Sequence, residues 1–157
     1  MAAGDFQSAQ EYFKKRMEMP SQDVQETYCS IYYLGSAQDQ RGLVDAAIDT
    51  YFKAYQYRPT RMEPLFRAAI LYRKKGNFLL SYLLTQFCLS MPYPKEDNCV
   101  EYPIYDHAIL IEYAQCALLL GRFKEAFTAY QKLLANSNIT EDAKKRFMNN
   151  YEISKNN

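Results

Sequence analysis

The chain has 157 residues, with 19 Lys and Arg against 18 Asp and Glu for a formal net charge of +1, so no large single-sign field argues for nucleic acid or an anionic membrane as partner. Apolar residues make up 48% while Gly and Pro number only 5 and 6, which suits one domain able to bury a core and excludes collagen-like or low-complexity order. The four cysteines at 29, 88, 99 and 116 form no CxxC pair for metal or redox chemistry, and they fit a reducing, cytoplasmic setting. The opening MAAGDFQSAQEYFKK lacks the continuous apolar stretch of a secretory signal. The most apolar run, residues 108–120, contains Glu112 and Gln115 and is too short for a bilayer span of about 20 residues.

In chain order, the pattern predicts a lone helix near 5–18, helix pairs near 24–57, 61–90 and 104–135, and a last helix near 140–153, eight helices and no sheet. The pairs are copies of one unit. Gly42 and Gly76, Ala47 and Ser81, and Ala54 and Cys88 each lie 34 apart; a third copy from Gly121 follows after an 11-residue insertion, and a partial copy begins at Gly4. Gly35, Ala69 and Ala114 supply small sites on first helices, and Ala47, Ser81 and Ala126, with Ala9 in the partial copy, supply them on second helices. Tyr51, Phe13 and Tyr130 stand one turn beyond the second set, a knob-and-hollow pattern at helical spacing. Gly42, Gly76 and Gly121 fall where a left-handed residue closes a first helix, and Pro20, Pro59 and Pro92 end second helices. Thr140, followed by Glu141 and Asp142, reads as an N-cap with acids in the first turn. Ile139, Ala143, Phe147 and Tyr151 recur every four residues, which predicts a helix that seals the open end of the core.

These positions resemble the tetratricopeptide repeat, in one copy through Leu34, Gly35, Gly42, Ala47, Tyr51, Ala54 and Pro59. The next copy departs at Thr85, where an aromatic is usual, and the last has Asn138 near the place of its terminal Pro. The resemblance covers about residues 4–138 and implies an all-α, right-handed superhelix of stacked antiparallel helix pairs. Residues 1–157 then form one domain: a partial repeat over 4–20, repeats near 24–59, 61–92 and 104–138, and a capping helix near 140–153. It also implies a partner-binding groove lined by first helices. Counting from Tyr28, Met62 and His107, the groove positions are Tyr32, Ser36, Asp39, Glu63, Phe66, Ile70, Arg73, Ile111, Gln115 and Leu118, with Arg73 beside an apolar strip to meet an acidic group of a protein or peptide partner. The Lys and Asn that clamp chaperone tails are replaced by Tyr32, Ser36, Phe66 and Ile70, which argues against that role.

A narrower resemblance is to the tetratricopeptide region found beside glycosyltransferase catalytic domains. It rests on Arg58, Pro59, Arg61, Glu63 and Pro64 at one helix start, and on Pro92, Tyr93, Pro94, Asp97, Val100, Tyr105 and Asp106 in the insertion. His107, Ala108 and Ile109 depart from the acidic residues usual after the Tyr-Asp pair. No Gly-rich nucleotide loop or DxD pair is present, so the resemblance implies a neighbour of the enzyme, with its own glycosyltransferase domain as a possible partner.

No residue pattern carries catalysis, a metal or a cofactor. His107 is the single histidine and reads as a helix-start residue. Cys29, Cys88 and Cys116 read as small buried hydrophobes, leaving Cys99 as the reachable thiol. Asp45 with Asp49, and Glu96 with Asp97, read as solvated surface. Asn138-Ile139-Thr140 fits a glycosylation triplet, but the cap takes the Thr. Arg58, Arg61, Arg67, Arg73, Lys74 and Lys75, with Phe66 and Tyr72 between them, read as a solvated face or a carboxylate contact; the balanced charge argues against a nucleic-acid surface. Because the array starts in mid-repeat, the chain is expected to be the carboxy-terminal part of a longer protein. Phe6, Phe13 and Met17 on the unpaired first helix are expected to favour self-association.

Overall fold

Three of the repeat glycines do what their spacing predicts. Gly42, Gly76 and Gly121 have φ of 74°, 79° and 71°, and the residue after each donates its amide five residues back: Leu43 to Gln38 at 2.9 Å, Asn77 to Tyr72 at 2.9 Å, and Arg122 to Ala117 at 2.8 Å. This is the same left-handed helix closure three times over, satisfying carbonyls that the helix end would leave bare.

The computed structural model describes residues 24–95 and 99–156, with Ser8, Glu11 and Lys15 as exposed helical positions ahead of them. The expected first helix with Phe6, Ala9, Phe13 and Met17, and also Pro20, Glu96 and Asp97, lie outside the described residues. Among the described residues there are seven α-helices and no strand: α1 (Val24–Gln40), α2 (Val44–Tyr57), α3 (Glu63–Lys74), α4 (Phe78–Cys88), α5 (Ile109–Leu119), α6 (Phe123–Ala135) and α7 (Glu141–Lys155). A π-helical turn, Ile104–Ala108, runs directly into α5. No described helix is long and apolar enough to cross a membrane.

The chain divides into two compact units. The first holds α1, α2, α3 as far as Leu71, and the described residues of 91–100; the second holds Tyr72–Ser90 and everything from Glu101 onward. In the first, α1 and α2 meet at Gly35, where a Cβ would come within 2.8 Å of two Tyr51 ring atoms. Only a hydrogen fits there, which is why the pattern pairs a glycine with a large ring one turn past Ala47. Ala47, Tyr51 and Ala54 are buried with Tyr28, Ile31, Tyr32 and Leu34.

In the second unit Ala114, Cys116, Ala117, Ala126, Ala129, Tyr130, Leu133 and Tyr82 form one buried cluster, closed by Ile139 and Phe147. The closing helix α7 starts on Thr140, whose side chain accepts from the Ala143 amide at 3.3 Å. Its apolar row stacks on α6, with Phe127 and Tyr151 at 4.9 Å and Tyr130 and Phe147 at 6.1 Å between ring centroids. The end-sealing helix expected from the four-residue spacing is therefore present. Thr85, the departure from the aromatic pattern, is buried and donates its hydroxyl to Ser81 and Tyr82 carbonyls on its own helix, so the small polar residue is satisfied without a partner across the core.

Candidate functional site

The first unit contains a fully buried ion pair. Arg61 and Glu63 have no exposed side-chain surface and meet at 2.6 Å through Nη2 and Oε1. Arg61 Nε also donates to both Glu63 oxygens at 3.2 Å, and its guanidinium lies 4.8 Å from the centre of the Tyr28 ring. The Tyr28 hydroxyl reaches Glu63 Oε2 at 3.4 Å. A further bond goes to the insertion: Arg61 Nη2 donates to the Cys99 carbonyl at 2.9 Å. Cys99 holds a left-handed φ of 59°, which costs a non-glycine residue energy, and its thiol is bonded to Cys29 with a Cα separation of 6.1 Å.

Two sequence readings are corrected here. Arg61 is not part of a solvated basic face but is fully buried, and Glu63 two residues on cancels its charge. Cys99 is not a reachable thiol, and Cys29 is not a free core cysteine. A link across 70 residues leaves no local spacing signal, since only the fold brings α1 and the insertion together. The remaining cysteines, Cys88 and Cys116, are in no disulfide and are buried as expected.

The expected groove positions divide by burial. Tyr32 and Phe66 are buried; Ser36, Ile70, Arg73, Ile111, Gln115 and Leu118 are half-buried. Tyr32 lies against Tyr51 at 5.8 Å and Tyr28 at 6.2 Å, and its hydroxyl accepts from Arg67 Nε at 3.0 Å. Arg73 has its carboxylate within the chain, donating from Nε to Glu112 Oε1 at 2.5 Å. The acid that Arg73 meets within the chain is thus supplied by α5. Glu112 also accepts from the Ser81 hydroxyl at 3.3 Å, and the Cys116 thiol donates to Ser81 at 3.1 Å. Burial pushes that thiol up to about 11, so it stays protonated and unreactive at neutral pH.

A second network stands on α4, α5 and α6. Glu125 Oε2 accepts from the Tyr82 hydroxyl at 2.5 Å and the Tyr113 hydroxyl at 3.0 Å, while Arg122 Nε donates to Oε1 at 3.2 Å. Arg122 also covers the Tyr82 ring at 4.7 Å. The Tyr82 hydrogen bond, ahead of the others, holds the Glu125 carboxyl below its ordinary range; burial pushes both phenols up. Beside this network a cleft of about 500 Å³ is lined by Gln86, Leu89, Leu110, Tyr113, Lys124, Glu125, Thr128, Ala129 and Lys132.

Next to it is a feature the sequence reading missed. α4 buries Ser81, Tyr82, Thr85 and Cys88, yet its opposite face is also apolar, with Leu79 54%, Leu83 46% and Phe87 48% exposed. The signal was available in FLLSYLLTQFC, a helix with no charge on either face, where a surface helix should be polar on one side.

The other candidates behave as structure. His107 lies half-buried in the π-helical turn. Asp45 and Asp49 are exposed. No group of His, Cys, Asp or Glu among the described residues could hold a metal ion.

No family model matches the chain, and no curated protein matches it. Among solved structures, a tetratricopeptide repeat protein from Parabacteroides merdae ATCC 43184 superposes with a TM-score of 0.75 at 20% identity, covering 98% of this chain and 55% of that one. The chain thus has a tetratricopeptide-type, all-α fold and spans about half the length of the protein it matches.

Proposed function

We propose that the chain is a non-catalytic protein-interaction or scaffolding module. The observation that carries this is the outward face of α4, where Leu79, Leu83 and Phe87 stand about half exposed on a helix whose other side is already set in the core. Contiguous apolar surface of this kind is unusual on a protein that works alone. The half-buried first-helix positions, Ser36 and Ile70 on the first unit and Arg73, Ile111, Gln115 and Leu118 on the second, are the other candidates. The test is an interaction screen of the intact chain beside Leu83→Glu/Phe87→Glu and Ile70→Glu/Gln115→Arg pairs, each checked by circular dichroism. Partners lost in either folded pair support a module; no saturable partner for the parent chain opposes it.

A second reading makes the chain the accessory region of a glycosyltransferase, docking its catalytic domain or an acceptor. It is favoured by one observation: Arg61, which carries that resemblance and is paired with Glu63, donates to the Cys99 carbonyl of the insertion that carries the rest. Sugar-nucleotide turnover by a longer protein containing residues 1–157 should collapse when they are deleted; unchanged turnover removes this reading. A cytoplasmic location sits poorly with the Cys29–Cys99 bridge, which suits an oxidising setting. Self-association through Phe6, Phe13 and Met17 predicts a concentration-dependent sedimentation coefficient, and a monomer at all concentrations opposes it.

A further inference from the structure

The cleft between α4, α5 and α6 and the outward row of α4 belong to one surface. At 100° per residue along a helix, Gln86 projects between Leu89 and the Leu79–Leu83 row, so the cleft wall formed by Gln86 and Leu89 continues into the exposed row. Each four-residue step of the row turns about 40° around the helix axis, so Leu79 and Leu83 adjoin Gln86 while Phe87 turns away from the cleft.

The opposite wall carries Lys124, Thr128 and Lys132 on α6, again four residues apart and about 12 Å long. Both lysines are exposed. The remaining charged group of the cleft, Glu125, does not offset them, because its carboxylate is occupied by Tyr82, Tyr113 and Arg122. The surface therefore has a largely apolar wall and a cationic wall, with Leu110, Tyr113 and Ala129 between them.

Resting on the interaction-module reading, we propose that this surface binds an amphipathic helical segment of a partner protein, with its apolar side on Leu79, Leu83 and Leu89 and its acidic residues on Lys124 and Lys132. A small amphiphilic acid would fill the cleft but leave the α4 row bare, whereas a helix read at i, i+4 and i+7 covers both. The apolar anchors hold the segment and the lysines fix which way it lies.

The experiment is selection of displayed helix-biased peptides on the intact chain, followed by titration of the selected peptides by fluorescence anisotropy. The expected peptides combine leucine-like residues at helical spacing with Glu or Asp on one flank. Lys124→Glu/Lys132→Glu should weaken them at least about tenfold at low salt, with the loss shrinking as salt is added. A peptide with Lys in place of its acids should bind the charge-reversed variant again, a recovery that simple misfolding would not give. Leu83→Glu should abolish binding, while Ile70→Glu/Gln115→Arg should leave it intact. Selected peptides that ignore the lysine and Leu83 changes, or that depend on Ile70 and Gln115, overturn this proposal and leave the module reading standing. Failure to select any peptide or protein partner overturns both.

Discussion

The two units solve the same problem, satisfying charge inside a helical array, in opposite ways. The first buries Arg61 and Glu63 completely and fastens them to the insertion through a carbonyl and a disulfide. The second leaves at least one partner of each pair partly exposed, Arg73 beside a buried Glu112 and Arg122 beside a partly exposed Glu125, and carries a cleft and an exposed apolar helix face. A buried pair contributes little net stability when intact but is costly to break, while a half-exposed pair is weaker in both senses. The first unit closes its ion pair away from solvent, and the proposed binding surface lies wholly on the second.

The sharpest way to break that contrast is Glu63→Ala, which strands a buried guanidinium and should cost about 3–5 kcal/mol in urea unfolding. Replacing both partners, Arg61→Met with Glu63→Leu, should recover most of that loss, since two apolar groups need no counter-charge. A Glu63→Ala effect within the error of the parent would place the pair in solvent after all. Breaking Cys29–Cys99 is next. Releasing a 70-residue constraint should cost about 2–4 kcal/mol, and alkylation with and without reductant should count two thiols in the unfolded oxidised chain and four after reduction.

Gly35→Ala tests the α1–α2 contact itself. A methyl 2.8 Å from the Tyr51 ring should destabilise by about 1–3 kcal/mol, as overpacked cores do, and Gly35→Ala/Tyr51→Leu should relieve part of it. The smallest effect near neutral pH is the second unit's alkaline sensitivity. The Cys116 thiol is raised by burial to about 11, so the folded state keeps a proton that the unfolded chain releases near 9. Stability from this source is complete below pH 9 and is lost as pH rises towards about 11. Tyr82, Tyr113 and Tyr130, also raised by burial, act in the same direction above their ordinary range. Urea midpoints should fall through this window, and less steeply in Cys116→Ala; a flat profile would remove burial as the cause.

Much of the fold was legible because it is written in residues that act locally. Gly42, Gly76 and Gly121 mark helix closures by their backbone alone, Thr140 caps the helix that follows it, and Gly35 with Tyr51 records a close approach as a small and a large residue at fixed spacing. What escaped depends on distant partners. Arg61 looks like surface charge until Glu63 and the Cys99 carbonyl surround it, and Cys29 gives no sign of a mate 70 residues on. Tyr32 and Phe66 occupy positions that face a groove in an idealised repeat, yet large rings in a core rich in tyrosine are covered by their neighbours. The α4 face was readable and was passed over, because an uncharged helix satisfies the requirement for a core without revealing that only one side is used.

Side-chain footprinting of the free chain, with solvent-generated radicals or carbenes and peptide-level mass spectrometry, compares these surfaces in one experiment. Leu79, Leu83 and Phe87 should be labelled heavily, while Tyr28, Tyr32 and Phe66 stay nearly silent. Labelling of Tyr32 and Phe66 above that of Phe87 would mean that the first helices, and not α4, present the open apolar surface.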